Sequence, residues 1–216
     1  MKKILLSLSC IFTVLSVSAQ SEGLVITTDS LSMDKSEVVD AVTRQHLTFK
    51  GIPIDGTPEK FGEKLTELGF VYSHKSQGSY WYEGGSFAGF HDCEVIVKAY
   101  DNLVYEVVAI LPTRYKWSHL YDDYSSLVYS LKKKYGEPDY SKEEFVSTPS
   151  YIDLDDDNDK YSEVKDGHCK YYTGFSVGYG LTGSVHIEIK ASGRVGLHYA
   201  DGYNEYLKSR AVENDL

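Results

Sequence analysis

The segment spanning residues 93–138 constrains the fold of this chain more than any other. Residues 93–99 and 103–111 form two runs rich in β-branched and aromatic residues, which suit a pleated, half-buried surface. Tyr100-Asp101-Asn102 lies between them and carries turn chemistry. A three-residue loop there sets Ala99 against Leu103, Val97 against Tyr105, Val95 against Val107 and Cys93 against Ala109. That register gathers the apolar side chains on one face and leaves Glu94, Lys98 and Glu106 on the other. Pro112 ends the second run. Trp117, Leu120, Tyr121, Tyr124, Leu127, Val128, Leu131 and Tyr135 then recur in steps of three and four, the pattern of an amphipathic helix. Lys132, Lys133 and Lys134 suit the negative end of its dipole, and Gly136 and Pro138 stop it.

A second copy of this pattern follows. Cys169, Tyr171, Thr173, Phe175 and Val177 alternate with polar residues, and residues 185–191 and 194–200 repeat the strand pair. A loop at Ser192-Gly193-Arg194 sets Ala191 against Val195, Ile189 against Leu197 and Ile187 against Tyr199, with Lys98-Ala99 matching Lys190-Ala191. Upstream of the first pair, Thr57 is placed to cap a helix opened by Pro58 and closed by Gly69. Strands follow at 70–72 and 80–82, with a turn at Gly84-Gly85-Ser86. The order is therefore a helix plus about four strands, twice. The expectation is an α+β fold, an antiparallel sheet with helices on one face, in two tandem repeats at 46–112 and 113–200. Residues 201–216 give a C-terminal helix and an acidic tail.

The first 19 residues have the layout of a secretory signal: Lys2 and Lys3, an apolar run, then Val17-Ser18-Ala19 before Gln20. Residues 20–45 are a polar leader. The expected address is periplasmic or secreted, with no membrane span once the signal is removed. The formal charge of −10 becomes −12 without Lys2 and Lys3. With no basic patch, this balance argues against nucleic acid.

Several groups are candidates for chemistry. Tyr80, Trp81, Tyr82, Phe87 and Phe90 are dense enough to form an aromatic binding surface, although strand alternation buries about half of such rings. Asp153, Asp155, Asp157 and Asp159 alternate in an acidic loop that offers oxygens to Ca²⁺. The loop departs from the EF-hand pattern, with Asn158 where a glycine belongs and Glu163 displaced as the closing acid. Cys93 and Cys169 either pair in an oxidising compartment or remain two buried thiols. Glu94, Glu106, Glu188 and His186 fall on the polar sheet face, where a carboxylate pair would serve acid–base work. The chain lacks a nucleophile elbow, a phosphate-binding glycine loop and zinc-type His/Cys spacing.

The run Thr48-Phe49-Lys50-Gly51-Ile52-Pro53-Ile54-Asp55-Gly56-Thr57, with Lys133-Lys134-Tyr135-Gly136-Glu137-Pro138, resembles a group of uncharacterised secreted proteins of Bacteroides-type bacteria. The doubled helix-plus-four-strand order is similar to the β-lactamase-inhibitor-protein fold, in architecture alone. The functional expectation is an exported, non-enzymatic binding module for a protein or glycan. The alternatives are a hydrolase with carboxylates on the open sheet face and a calcium-responsive periplasmic protein.

Overall fold

The computed structural model describes residues 45–178 and 182–214. The expected secretory signal, nearly all of the expected leader, residues 179–181 and the last two residues of the tail lie outside the described residues. Two short strands, β1 (Thr48–Phe49) and β2 (Ile52–Pro53), form a small hairpin. Helix α1 (Pro58–Glu67) leads into β3 (Val71–Ser76), β4 (Ser79–Phe87), β5 (Phe90–Tyr100) and β6 (Leu103–Ile110). Helix α2 (Trp117–Tyr135) leads into β7 (Tyr140–Phe145), α3 (Asp157–Lys165), β8 (Cys169–Val177), β9 (Gly183–Lys190) and β10 (Arg194–Asp201). Helix α4 (Gly202–Asn214) ends the described chain.

The strands make one antiparallel sheet in the order β3-β4-β5-β6-β10-β9-β8-β7. Each repeat is a run of neighbours, and the last strands of the two repeats, β6 and β10, meet at the centre. The inward sheet face carries Val95, Val97, Val107, Val185, Ile187 and Leu197, all buried in one core with Phe61 and Leu65 of α1 and Leu120, Tyr124 and Leu131 of α2. Burying a side chain of this size contributes about 1.5–3 kcal/mol. The helices thus cover one side of the sheet. The outward side has its own small apolar cluster, Ile96, Val108 and Ile110 with Trp81, and no helical residue belongs to it.

The hairpin faces agree with the alternation, but both registers slip by two residues. The first turn is Asp101-Asn102, with φ of 46° and 63°, so Tyr100 pairs with Leu103 and Ala99 with Val104. Such two-residue turns match the twist of the flanking strands. A bulge at Tyr105 then sets Lys98 against Glu106, Val97 against Val107 and Val95 against Ala109. The extra residue returns the apolar side chains to the inward face. In the second hairpin the loop is Ala191-Ser192-Gly193, with Gly193 at φ +77°. Ile189 therefore pairs with Val195, Ile187 with Leu197 and Val185 with Tyr199. The structural equivalence is Val97–Val107 with Ile187–Leu197, which displaces the Lys98/Lys190 match.

Two further expectations are corrected. Gly84-Gly85-Ser86 is no turn, because β4 runs through it with register shifts and the chain reverses at Ala88-Gly89, φ 50° and 90°. Gly85 is required for packing: a Cβ there would lie 2.4 Å from the ring of Phe70. The acidic segment is a loop only in its first half, since Asp157 opens α3.

The helix ends differ in origin. Thr57 caps α1 by accepting from the Lys60 amide. Lys116 precedes α2 and cannot accept, so Asp157 reaches in from α3 and takes the Ser118 amide at 2.6 Å. Buried Asp201 accepts from the Leu47 amide at 2.7 Å and the Asn204 amide at 3.0 Å, and His46 Nδ1 lies 3.2 Å from it. Asn204 donates to the carbonyls of Ile54 and Val104, each at 2.9 Å. These bonds tie the β1–β2 hairpin to α4 and β6.

Candidate functional site

Antiparallel pairing places one residue of each strand in a line across the outward face. That line is His74, Trp81, Ile96, Val108, His198, His186, Gly174 and Tyr140, from β3 to β7. His74 stacks on Trp81 at 5.3 Å between ring centroids. Trp81, Ile96 and Val108 make the first-repeat half apolar up to the seam, where Val108 sits directly opposite His198. At the far end the rings of Tyr140, Tyr172 and His186 lie 5.9–6.2 Å from one another. Tyr140 covers Gly174 so closely that a Cβ there would fall 2.1 Å from its ring, and half of Tyr140 stays exposed.

A chain of alternating charge crosses the seam beside this line. Lys98 Nζ donates to Glu106 Oε2 at 2.8 Å. Glu106 Oε1 lies 2.8 Å from His198 Nδ1, and His198 Nε2 lies 3.2 Å from Glu188 Oε1. Lys190 donates to the same Glu188 oxygen. One row away, Arg194 bonds Glu94 at 2.7 Å and the Leu111 carbonyl at 2.6 Å. All these groups are part-buried, which strengthens their interactions relative to a fully solvated surface.

The surroundings set the protonation of each member. Burial alone would lower the His198 pKa, but its bonds to Glu106 and Glu188 outweigh that and hold it above the ordinary imidazole value. Burial would raise Glu106, yet His198 and Lys98 hold it below the usual carboxylate range. Glu188 is held well down by His186, His198 and Lys190. His186 Nε2 stands 3.8 Å from Glu188 Oε2, too far for a hydrogen bond in this geometry. Sequence reasoning places Glu94, Glu106, Glu188 and His186 on this face but passes over His198, which joins them. Its outward parity in the strand 194–200 was the available signal.

The expected aromatic surface is divided by the sheet. Trp81 alone of the five lies in the outward line. Tyr82 and Phe87 are buried in the core, and Tyr80 and Phe90 are packed against it, because alternation and the Gly84-Gly85 bulge turn them inward. The indole Nε1 of Trp81 is buried without a hydrogen-bond partner among the described residues.

The acidic residues serve as caps and turn acceptors. Asp153 accepts from the Asp155 amide and Asp159 from the Asp153 amide, each at 2.9 Å, while Asp157 caps α2. Asp156 caps α3 through the amides of Asn158 and Asp159. Among the described residues, no three His, Cys, Asp or Glu side chains converge as a metal-holding group.

Cys93 and Cys169 are both buried and unpaired. They lie on β5 and β8, with β6, β10 and β9 between, so four strand spacings of about 4.8 Å part them by roughly 19 Å. A disulfide needs Cα atoms within about 7 Å. Burial pushes the Cys169 thiol up to about 12 and raises Cys93 as well, so neither is a ready thiolate.

Two concavities open beside the charged chain. One, of about 420 Å³, is lined by Val71, Glu83, Gly84, Asp92 and Glu94. The other, of about 300 Å³, is lined by Lys170, Tyr172, Glu188 and Lys190 among others. Among the described residues, no helix is long and apolar enough to cross a membrane. Comparisons with protein-family models, curated proteins and solved structures found no match.

Proposed function

We propose that this chain is an exported, non-enzymatic binding module whose outward sheet face meets a protein or glycan. The observation that carries this reading is the outward line of His74, Trp81, Ile96, Val108, His198, His186, Gly174 and Tyr140, in which exposed His74 and Tyr140 flank buried Ile96 and Val108 on a face whose apolar cluster includes no helical residue. Aromatic rings give large contact area at low entropic cost. Export is supported by the charged, apolar and small-residue order of residues 1–20.

The hydrolase alternative needs two carboxyl groups pushed apart in pKa, one kept protonated as the acid. Here Glu106 and Glu188 are both pushed down by cations, so both stay ionised. Calcium binding would draw on Asp153, Asp155, Asp157 and Asp159, and the oxygens of Asp153, Asp157 and Asp159 already accept from backbone amides.

The test is capture from the native cell envelope and on a glycan array, using wild type and a Trp81→Ala/Tyr140→Ala variant. The expected result is a retained ligand lost at least tenfold by the variant. Equal capture by both would remove the outward face from the account.

A further inference from the structure

We propose that His198 is a proton-operated clasp across the β6–β10 seam, joining the two repeats and setting the charge at the centre of the outward face. The geometry is specific. Glu106 belongs to the first repeat and His198 and Glu188 to the second, so the imidazole bridges a carboxylate from each side of the seam at 2.8 and 3.2 Å. An imidazolium donates from both ring nitrogens, whereas a neutral imidazole has one N–H and one lone pair. Protonated His198 therefore satisfies both carboxylates at once. Neutral His198 leaves one of them facing a lone pair.

The groups around the ring favour the charged form on balance. From β5 comes Lys98, which bonds Glu106. From β6 comes Glu106 itself. From β9 come His186, Glu188 and Lys190, the last with its Nζ 3.4 Å from His198 Nε2 and opposing the charge. Beyond His186 stands Tyr140, its hydroxyl 3.2 Å from Nδ1, and one row away Arg194 is taken up by Glu94. Two carboxylates at hydrogen-bond distance outweigh one ammonium already engaged by Glu188. The folded His198 pKa is raised, so its contribution is present below the ordinary value near 6.5 and is lost as pH rises through the folded pKa. The folded pKa values of Glu106 and Glu188 are lowered, so their contribution is present above the ordinary value near 4.5 and is lost as pH falls through the folded values. The seam is thus strongest between those two ordinary values and loosens as His198 deprotonates. The face also loses one positive charge there. That consequence for a ligand rests on the proposed binding role, whereas the clasp is read without any ligand.

The experiment follows the imidazole Cε1–H signals by NMR from about pH 4.5 to 9 in wild type, Glu106→Gln and Glu188→Gln, with the His198 signal assigned from a His198→Gln variant. Thermal melts cover the same pH range. His198 is expected to titrate above the ordinary imidazole value, and each Gln variant to lower its midpoint. Wild-type Tm is expected to fall by roughly 3 °C across the titration, while His198→Gln shows no such step. Should His198→Gln fail to fold, the wild-type titration and the two Gln variants still decide. A His198 midpoint at or below the ordinary value overturns the clasp, as does a midpoint indifferent to both substitutions. Either result leaves the binding role standing, which envelope capture tests separately.

Discussion

The two repeats share a frame and differ on the outward side of the sheet. Inward, Val97 and Val107 match Ile187 and Leu197, and all four are fully or almost fully buried. Outward, Ile96 and Val108 of the first repeat occupy the places of His186 and His198 in the second. The inward positions have one task, filling the space beneath a helix, and both repeats meet it with aliphatic side chains. The outward positions carry no such demand. One repeat has become apolar there, with Trp81 over its cluster, and the other titratable, with Glu188 and two histidines. The divergence lies on the face proposed for binding.

Substitutions in matched positions of the two repeats test how far they differ. Phe70→Ala in the first repeat and Phe175→Ala in the second should each cost about 3–5 kcal/mol, because both rings are buried. Urea melts should keep a single transition for either variant. Two transitions would show that the repeats unfold separately. Glycines give an asymmetric pair. Gly85→Ala meets the buried Phe70 ring and should cost about 1–3 kcal/mol. Gly174→Ala meets only the outer end of exposed Tyr140, which can swing aside, so its cost should stay below about 1 kcal/mol. Equal losses in chemical melts would mean that Tyr140 is as fixed as Phe70. The caps give the smallest effect. Thr57→Ala and Asp157→Ala should each lower stability by about 1 kcal/mol. Amide exchange should locate the first loss in α1 and the second in α2, although Asp157 belongs to α3.

Much of the fold was legible in the sequence because burial follows a period of two in strands and about 3.6 in helices. Val95, Val97, Ile187 and Ile189 were assigned to the inward face from that rule alone, and the structure buries all four. The registers were not legible. A slip of two residues preserves every face, so the apolar pattern cannot separate Val97–Tyr105 from Val97–Val107. What separates them is the left-handed Asp101-Asn102 pair and the bulge at Tyr105, features of backbone rather than of hydropathy. Asp157 looked like part of a chelating loop because its partner, the Ser118 amide, lies 39 residues away. The clasp was hidden for the same reason. Glu106 and His198 are 92 residues apart, and only the central meeting of β6 with β10 brings them together. The repeat pattern gave the strands of each half without saying which edges join.

The whole outward face exists only while β6 and β10 remain paired, so native-state hydrogen exchange across that pair is the most direct test. Amides bonded between β6 and β10 are expected to exchange only through global unfolding, far more slowly than those of the edge strands β3 and β7. Exchange in β6 and β10 as fast as at those edges would contradict it, leaving two separate repeats with no common face.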